Sequence, residues 1–146
     1  MPTRSARTAW TGGLQDGTGQ VELSSSGLGT NDVSFPKRAA EEANGATSPE
    51  ELVAAAHSAC YAMSIAGNIE RAGGTTHAMD VKADVTLGPD PAGGVRITGI
   101  HLTVRGEVEG LDEAGFLDCA ERAKASCPLS KALTGTDITL DAALES

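Results

Sequence analysis

The stretch of sequence that decides the fold spans residues 48–73 and reads SPEELVAAAHSACYAMSIAGNIERAG. Ser48 is a residue type that caps a helix start, and Pro49 suits the first helical position. Residues 52–69 are small or apolar almost throughout and carry no charge, and a helix that is apolar on all sides is expected to be buried. The pattern stops at Gly73, because glycine commonly ends a helix. The stretch therefore predicts a buried central helix over residues 48–73.

The whole chain has 146 residues and a formal net charge of −9. This length is typical of a single domain, so we expect residues 1–146 to form one domain. An acidic excess disfavours binding to nucleic acid or to an anionic membrane, and neither is expected as a partner. No segment has the Leu, Ile and Phe content of a membrane span, and the N-terminus lacks the apolar core of a secretory signal. These features favour a soluble cytoplasmic protein.

The segments around the central helix predict strands and one further helix. Apolar and polar side chains alternate on both sides of a turn at residues 89–94, and a phase slip at Gly99 indicates a β-bulge. A second helix is predicted to end at Cys127, because the residue before a proline is disfavoured in the helical conformation. The predicted segments are a hairpin over 3–24, a loop or weak edge strand over 24–32, the second helix over 111–127 and a last strand over 137–144. This order predicts an α+β fold with antiparallel sheets packed on two central helices.

The central helix is rich in alanine and other small residues, which allow a second helix to approach closely. One thin sheet is too small to cover such a helix on all sides, whereas a second copy of the chain packed against it would do so. A homodimer is therefore predicted. The alternative is a monomer in which the second predicted helix, residues 111–127, supplies the cover.

Cys60 lies at the middle of the central helix. It is either an inert core residue, as unpaired buried cysteines often are, or a protected reactive thiol. A reactive thiol needs a neighbouring cation that lowers its pKa, because the thiolate is the reactive form. Arg38 is the candidate cation, since arginine is always charged and this one lies in a segment of small and apolar residues. The alternative for Arg38 is a solvated surface charge.

The other two cysteines have different sequence contexts. Cys127 lies where the second helix is predicted to end, so its backbone is expected to be free to move. That setting suits a second thiol that swings to meet a first one, and the alternative is a core residue at a helix end. Cys119 lies in mid-helix and is interpreted as packing. Three widely spaced cysteines do not indicate a disulfide framework, which leaves packing, metal ligation or redox chemistry.

Two polar residues of the central helix are candidates for supporting roles. Glu50 precedes Cys60 by ten positions, which is about 15 Å along a straight helix, so it can act only through an intermediary such as Arg38 or on another subunit. Its alternative role is a favourable charge in the first helical turn. His57 shares a helix face with Cys60 and suggests half a metal site or a thiol–imidazole pair. No second pair at ligand spacing exists, so a metal is not expected.

Three motifs together resemble those of the OsmC/Ohr family of peroxidases. They are SPEELVAAAHSAC around Cys60, CPLSKAL from Cys127 and the upstream FPKR that ends at Arg38. The motifs occur in the family's order and cover most of the chain from Phe35 onward. His57 and the segment that follows Cys127 look more like the OsmC branch than the organic-hydroperoxide-resistance branch.

The resemblance implies an enzyme that reduces organic hydroperoxides by thiol chemistry, with hydrogen peroxide as a second candidate substrate. Cys60 would be the peroxidatic thiolate, and Cys127 would resolve its sulfenic acid to a disulfide. Arg38 would stabilise the thiolate, and Glu50 would orient Arg38 through a bidentate pair. The family forms an intertwined homodimer with its active sites at the subunit interface. Its reductant is typically a lipoyl dithiol, and no metal or flavin is needed.

Two other functions remain open at the level of sequence. One is a thiol-based peroxide sensor that passes its oxidation to a partner and has negligible turnover. The other is a non-catalytic, stress-associated dimer that binds a ligand on the same fold and whose cysteines have ordinary reactivity. Turnover with a dithiol separates the enzyme from both alternatives.

Overall fold

The computed structural model describes all residues from Met1 to Ser146. They form six strands and four helices, which confirms the predicted α+β class. The chain divides into two compact units, residues 1–52 and residues 53–146, and a single domain over the whole chain stays a prediction. The elements are β1 (Arg7–Thr11), β2 (Thr18–Glu22), β3 (Thr30–Val33), α1 (Phe35–Ala39), α2 (Pro49–Arg71), β4 (Thr75–Pro89), β5 (Val95–Glu109), α3 (Glu113–Ser126), α4 (Pro128–Ala132) and β6 (Asp137–Leu144).

The first unit contains an antiparallel sheet in the order β1-β2-β3. β1 and β2 lie within the predicted hairpin segment, residues 3–24, and pair with each other. β3 forms the far edge because its backbone pairs with β2, with Val33 opposite Gly19. Gly19 lies under the indole of Trp10, where a Cβ would come within 2.7 Å of the ring. The glycine therefore allows Trp10 to pack closely on the sheet.

Two helix starts follow this sheet, and each has a serine cap. Ser34 precedes α1, where its hydroxyl accepts a hydrogen bond from the Lys37 N–H at 3.4 Å. The sequence had indicated only a mixed apolar and basic segment there. Ser48 precedes α2, and its hydroxyl accepts a hydrogen bond from the Glu51 N–H at 3.1 Å. Capping of this kind satisfies N–H groups that have no partner inside the helix.

Only one stripe of α2 is fully buried. The core stripe consists of His57, Tyr61, Ile65 and Ile69, which follow one another at every fourth position. Met63 on another face is 73% exposed, and several alanines are exposed as well. The prediction of a helix buried on all sides is therefore wrong for a single chain. Small side chains allow another element to approach the helix closely, but they do not ensure that such an element is present.

By length and composition α2 would also pass as a membrane-spanning helix. One such helix is weak support for a membrane protein, since core helices of water-soluble proteins meet the same criteria.

The second unit contains a three-stranded sheet in the order β4-β5-β6. β4 and β5 are antiparallel, and Thr98 is the extra residue between the pairs Thr86–Gly99 and Leu87–Ile97. This irregularity confirms the β-bulge indicated by the phase slip at Gly99.

β6 runs parallel to β5, which corrects the prediction that the sheets are antiparallel throughout. The chain between these two strands passes through α3 and α4, and a long helical crossover is what a parallel connection needs.

The core of the second unit lies between this sheet and its helices. Ile100, Leu102 and Val104 of β5 are almost fully buried there. From α3, Cys119 is 2% exposed and belongs to the same core, which agrees with its interpretation as packing. α3 ends at Cys127 as predicted, but Pro128 starts another short helix, α4, instead of an irregular segment.

Candidate active site

Cys60 and Cys127 lie side by side in the second unit. Both thiols are free, and their Sγ atoms are 3.2 Å apart. Cys60 is half-buried on α2, whereas Cys127 is fully buried at the junction of α3 and α4. A disulfide needs an S–S distance of about 2.0 Å. The two sulfur atoms therefore need to approach by only about 1 Å, so the swing of Cys127 suggested by its sequence context needs to be only a small one.

The two thiols differ in how easily they ionise. Burial raises the pKa of Cys60, the neighbouring Cys127 raises it further, and a hydrogen bond from the Leu129 N–H only partly offsets these effects. No cation is among the groups that shift this pKa. The lowered pKa expected for Cys60 is therefore not found within the second unit, because a half-buried thiol without a positive neighbour favours its neutral form.

Burial also acts to raise the pKa of Cys127, but hydrogen bonds reverse the direction. The backbone N–H of Ser130, the Cys60 thiol, the Ser130 hydroxyl and the Leu129 N–H together lower this pKa below its ordinary value. Donors of this kind favour the charged form of an acid. The more deeply buried of the two sulfur atoms is therefore the one whose surroundings favour a thiolate.

Arg38 and Glu50 form an ion pair in the first unit. The Arg38 Nη2 lies 2.7 Å from Oε1 of Glu50, and its Nε lies 3.1 Å from both carboxylate oxygens. The Glu50 side chain is 9% exposed and that of Arg38 is 30% exposed. The hydrogen bond to Glu50 raises the pKa of Arg38. The pair fixes the direction of the guanidinium because several of its donors are held by one carboxylate.

A cleft of about 320 Å³ adjoins Arg38 in the first unit. Its walls are mostly apolar and include Trp10, Val21, Phe35 and Leu52. The cleft thus combines a positive charge with a surface that suits an alkyl or aryl group.

His57 contacts neither thiol through a hydrogen bond. Its Nε2 lies 2.9 Å from the hydroxyl of Ser130, and its Nδ1 is buried without a hydrogen-bond partner. Burial lowers the pKa of this imidazole. No group of three His, Cys, Asp or Glu side chains could hold a metal ion. The His57 ring is therefore a partner of Ser130, where the sequence had suggested a thiol–imidazole pair or half a metal site.

Residues 42–141 match the family model described as "OsmC-like protein". The chain belongs to this family. It is 36% identical over 143 residues to Peroxiredoxin OsmC of Escherichia coli (strain K12), covering 98% of this chain and 97% of that protein. It is also 34% identical over 116 residues to the organic hydroperoxide resistance protein OhrA of Bacillus subtilis (strain 168), covering 77% and 79% of the two chains. These relatives confirm the resemblance to the OsmC/Ohr family.

A solved OsmC/Ohr structure shares the fold. The crystal structure of an organic hydroperoxide resistance protein from Elizabethkingia anophelis superposes with a TM-score of 0.77 at 26% identity, over 99% of both chains. An OsmC-like chain therefore has the antiparallel and parallel strand pairings and the helices described above.

In this OsmC-like chain the four residues expected at the site form two pairs, one in each compact unit. Arg38 is paired with Glu50 in residues 1–52, and Cys60 adjoins Cys127 in residues 53–146. Sequence reasoning missed Ser130 as a partner of the site. The available signal was its position three residues after Cys127, which one turn of a short helix brings back beside that cysteine.

Proposed function

We propose that this chain is a thiol-dependent peroxidase that reduces organic hydroperoxides to alcohols. The observation that carries this proposal is the 3.2 Å approach of two free thiols. The names of the relatives, a peroxiredoxin and organic hydroperoxide resistance proteins, support the same chemistry. A pair of packing cysteines would need neither this proximity nor the set of donors around one of them.

In the first step the Cys60 thiolate attacks the distal oxygen of the hydroperoxide. The S–O bond forms as the O–O bond breaks, and the leaving alkoxide takes up a proton to become the alcohol. The sulfur is oxidised by two electrons to a sulfenic acid, and the peroxide is reduced by the same two electrons. The half-buried position of Cys60 on α2 leaves it accessible while limiting water around its sulfenic acid.

In the second step the Cys127 thiolate attacks the sulfur of the Cys60 sulfenic acid. The S–S bond forms, the S–O bond breaks, and the departing hydroxide takes up a proton to leave as water. The short separation of the sulfur atoms and the donors around Cys127 support this resolving role. An external dithiol, which we propose to be a lipoyl group, then reduces the disulfide by exchange and is itself oxidised to a disulfide.

Arg38 and Glu50 are proposed to serve the first step. Because the pKa of Cys60 is raised by its surroundings in the second unit, a thiolate there needs a cation. Arg38 is proposed to supply that charge, with Glu50 holding it in place, and to stabilise negative charge on the departing oxygen. The support is the bidentate geometry of the pair and the apolar cleft beside Arg38, which suits the organic part of a hydroperoxide.

A homodimer in the cytoplasm is proposed as the working form. The exposed small-residue faces of α2 support the dimer, because they are a surface that a second copy could cover. A reducing compartment supports the chemistry, because the thiols must be regenerated after each turnover. No metal or flavin takes part in the proposed steps.

The proposal is tested by steady-state turnover with dihydrolipoamide and a panel of cumene, tert-butyl and hydrogen peroxides. We expect turnover to be faster with the organic substrates and to fall to background in Cys60→Ser. Cys119→Ser is the matched control and should retain activity, since Cys119 is a core residue apart from the paired thiols. Full activity of Cys60→Ser, or no turnover of any peroxide by the native protein, would overturn the proposal.

A further inference from the structure

His57 and Ser130 form a polar pair inside an otherwise apolar core. His57 is fully buried, and Ser130 is 5% exposed. Their contact, Nε2 to Oγ, is 2.9 Å long. The other ring nitrogen of His57 has no partner, and an unsatisfied buried polar atom costs free energy that a leucine of similar size would avoid. Packing alone therefore does not account for a histidine at this position.

The hydroxyl of Ser130 connects this imidazole to the site. Ser130 lies in the first turn of α4, three residues after Cys127, and its hydroxyl and backbone N–H both act to lower the pKa of that thiol. A serine hydroxyl has only one proton. Ser130 can therefore donate to Cys127 only if its own oxygen accepts the hydrogen bond from His57. This requires the tautomer of His57 with the proton on Nε2, so that Nδ1 carries a lone pair.

We propose that His57 is a positioning residue that keeps the Ser130 hydroxyl directed at Cys127, and that this hydroxyl stabilises the Cys127 thiolate for the resolving step. The inference rests on the proposed peroxidase function, of which it describes the second half. The thiolate attacks the Cys60 sulfenic acid, the S–S bond replaces the S–O bond, and the oxygen leaves as water after taking up a proton. Peroxide reduction at Cys60 does not use the His57–Ser130 pair.

Rapid-quench single turnovers with cumene hydroperoxide separate the two steps. Dimedone labelling followed by mass spectrometry measures the Cys60 sulfenic acid, and unlabelled peptides measure the disulfide. In Ser130→Ala we expect oxidation of Cys60 to be no slower than in the native protein, because a less ionised Cys127 raises the pKa of Cys60 less. Disulfide formation should slow by about tenfold or more, as loss of a hydrogen bond to a charged group would do. Ser58→Ala, one residue from His57, is the matched control and should change neither rate.

A second pair of variants distinguishes positioning from a structural role. His57→Leu should slow disulfide formation about as much as Ser130→Ala, whereas His57→Gln should restore much of the rate because its amide N–H can donate to Ser130. A structural defect in α2 would change both steps and would not be repaired by glutamine. The inference would be overturned if the disulfide formed at the native rate in Ser130→Ala. It would also be overturned if disulfide formation were slowed equally in His57→Gln and His57→Leu.

One further measurement does not depend on peroxide. In a Cys60→Ser, Cys119→Ser background, the ultraviolet absorbance of the thiolate reports the ionisation of Cys127 directly. Adding Ser130→Ala should move this titration upward by about one pH unit. Tyr61 is titratable and lies near Cys127, His57 contacts Ser130, and both residues are the same in the two proteins. An unmoved titration would refute the role of Ser130, whereas failure of the native protein to reduce any peroxide would refute the proposed function.

Discussion

Two regions of the molecule each hold one of the paired cysteines: the middle of α2 and the junction between α3 and α4. Cys60 in the first region is the more exposed, and its pKa is raised. Cys127 in the second region is fully buried, and its pKa is lowered. In a mid-helix position the surrounding N–H groups are used by the helix itself. The first N–H groups of α4 have no such partners, and those of Leu129 and Ser130 lower the pKa of Cys127.

At Cys127 the hydrogen-bond donors together outweigh the effect of burial on the pKa, whereas at Cys60 the single donor Leu129 does not. The comparison also divides the proposed machinery into two parts. Cys60 needs a charge from outside its own surroundings, for which Arg38 and Glu50 are proposed. Cys127 is prepared by its own segment, together with a buried imidazole. Each part should therefore act chiefly on one step of the reaction.

Cys127→Ser should have the largest effect on turnover among the variants that separate the two regions. The first oxidation of Cys60 should persist, because the peroxide reacts with Cys60 alone. No Cys60–Cys127 disulfide can form, so steady-state turnover with dihydrolipoamide should fall to background and dimedone-reactive Cys60 should accumulate. Peptide mapping after one equivalent of cumene hydroperoxide measures both species. Turnover at the native rate would show that Cys127 is not the resolving thiol.

Arg38→Met should produce the next largest effect, and only on the first step. Loss of the guanidinium should slow oxidation of Cys60 by about 10- to 100-fold at neutral pH, as expected for removal of a hydrogen-bonded charge. Because the thiolate is the reactive form, the rate should rise with pH, and its midpoint should lie higher in Arg38→Met than in the native protein.

The matched control for Arg38→Met is Arg7→Met. Arg7 forms an exposed pair with Glu22 at 3.5 Å in the same unit, so its loss should leave the rate profile unchanged. Rapid-quench rates across pH provide the comparison. If the midpoint for Cys60 oxidation is the same with and without Arg38, the assignment of Arg38 to that thiol fails.

The smallest expected effect is on stability and concerns His57. Burial lowers the pKa of His57 in the folded chain, so the unfolded chain binds more protons as the pH falls below about 6.5. The stability that depends on neutral His57 is therefore present above that pH and is lost as the pH decreases. Urea unfolding at several pH values between neutral and mildly acidic measures the free energy of unfolding. As the pH decreases, this free energy should fall less steeply in His57→Leu than in the native protein, by up to about 1.4 kcal/mol per pH unit. Identical slopes would contradict this.

Local sequence signals were sufficient for much of the fold. The serine cap and the glycine end bracket α2, and the alternating side chains of β4 and β5 reveal even the bulge next to Gly99. These signals work because capping and side-chain alternation depend on residues close together in the chain. The family motifs then placed Cys60, Cys127, Arg38 and Glu50 among the candidates, and the structure shows how they pair.

Features set by distant partners were beyond sequence reasoning. The parallel pairing of β6 depends on a crossover through two helices, and the exposure of Met63 on α2 depends on what covers that face. The raised pKa of Cys60 within the second unit also depends on distant partners, because it is set by burial and by Leu129 and Cys127, far along the chain. The contact between Ser130 and His57, 73 positions away, has no signal in the sequence.

The closeness of two sulfur atoms that are 67 positions apart in the chain has a mechanical consequence. In the oxidised state, as proposed, they would close a covalent ring that includes the second half of α2, the long strands β4 and β5 and all of α3. A ring of this size removes enough freedom from the unfolded chain to resist unfolding by about 4 kcal/mol in the chain-entropy estimate. Each turnover would then alternate the protein between a cross-linked form and a form without the cross-link. After exposure to peroxide, the cross-linked fraction of the protein would resist heat and proteolysis better than the reduced fraction.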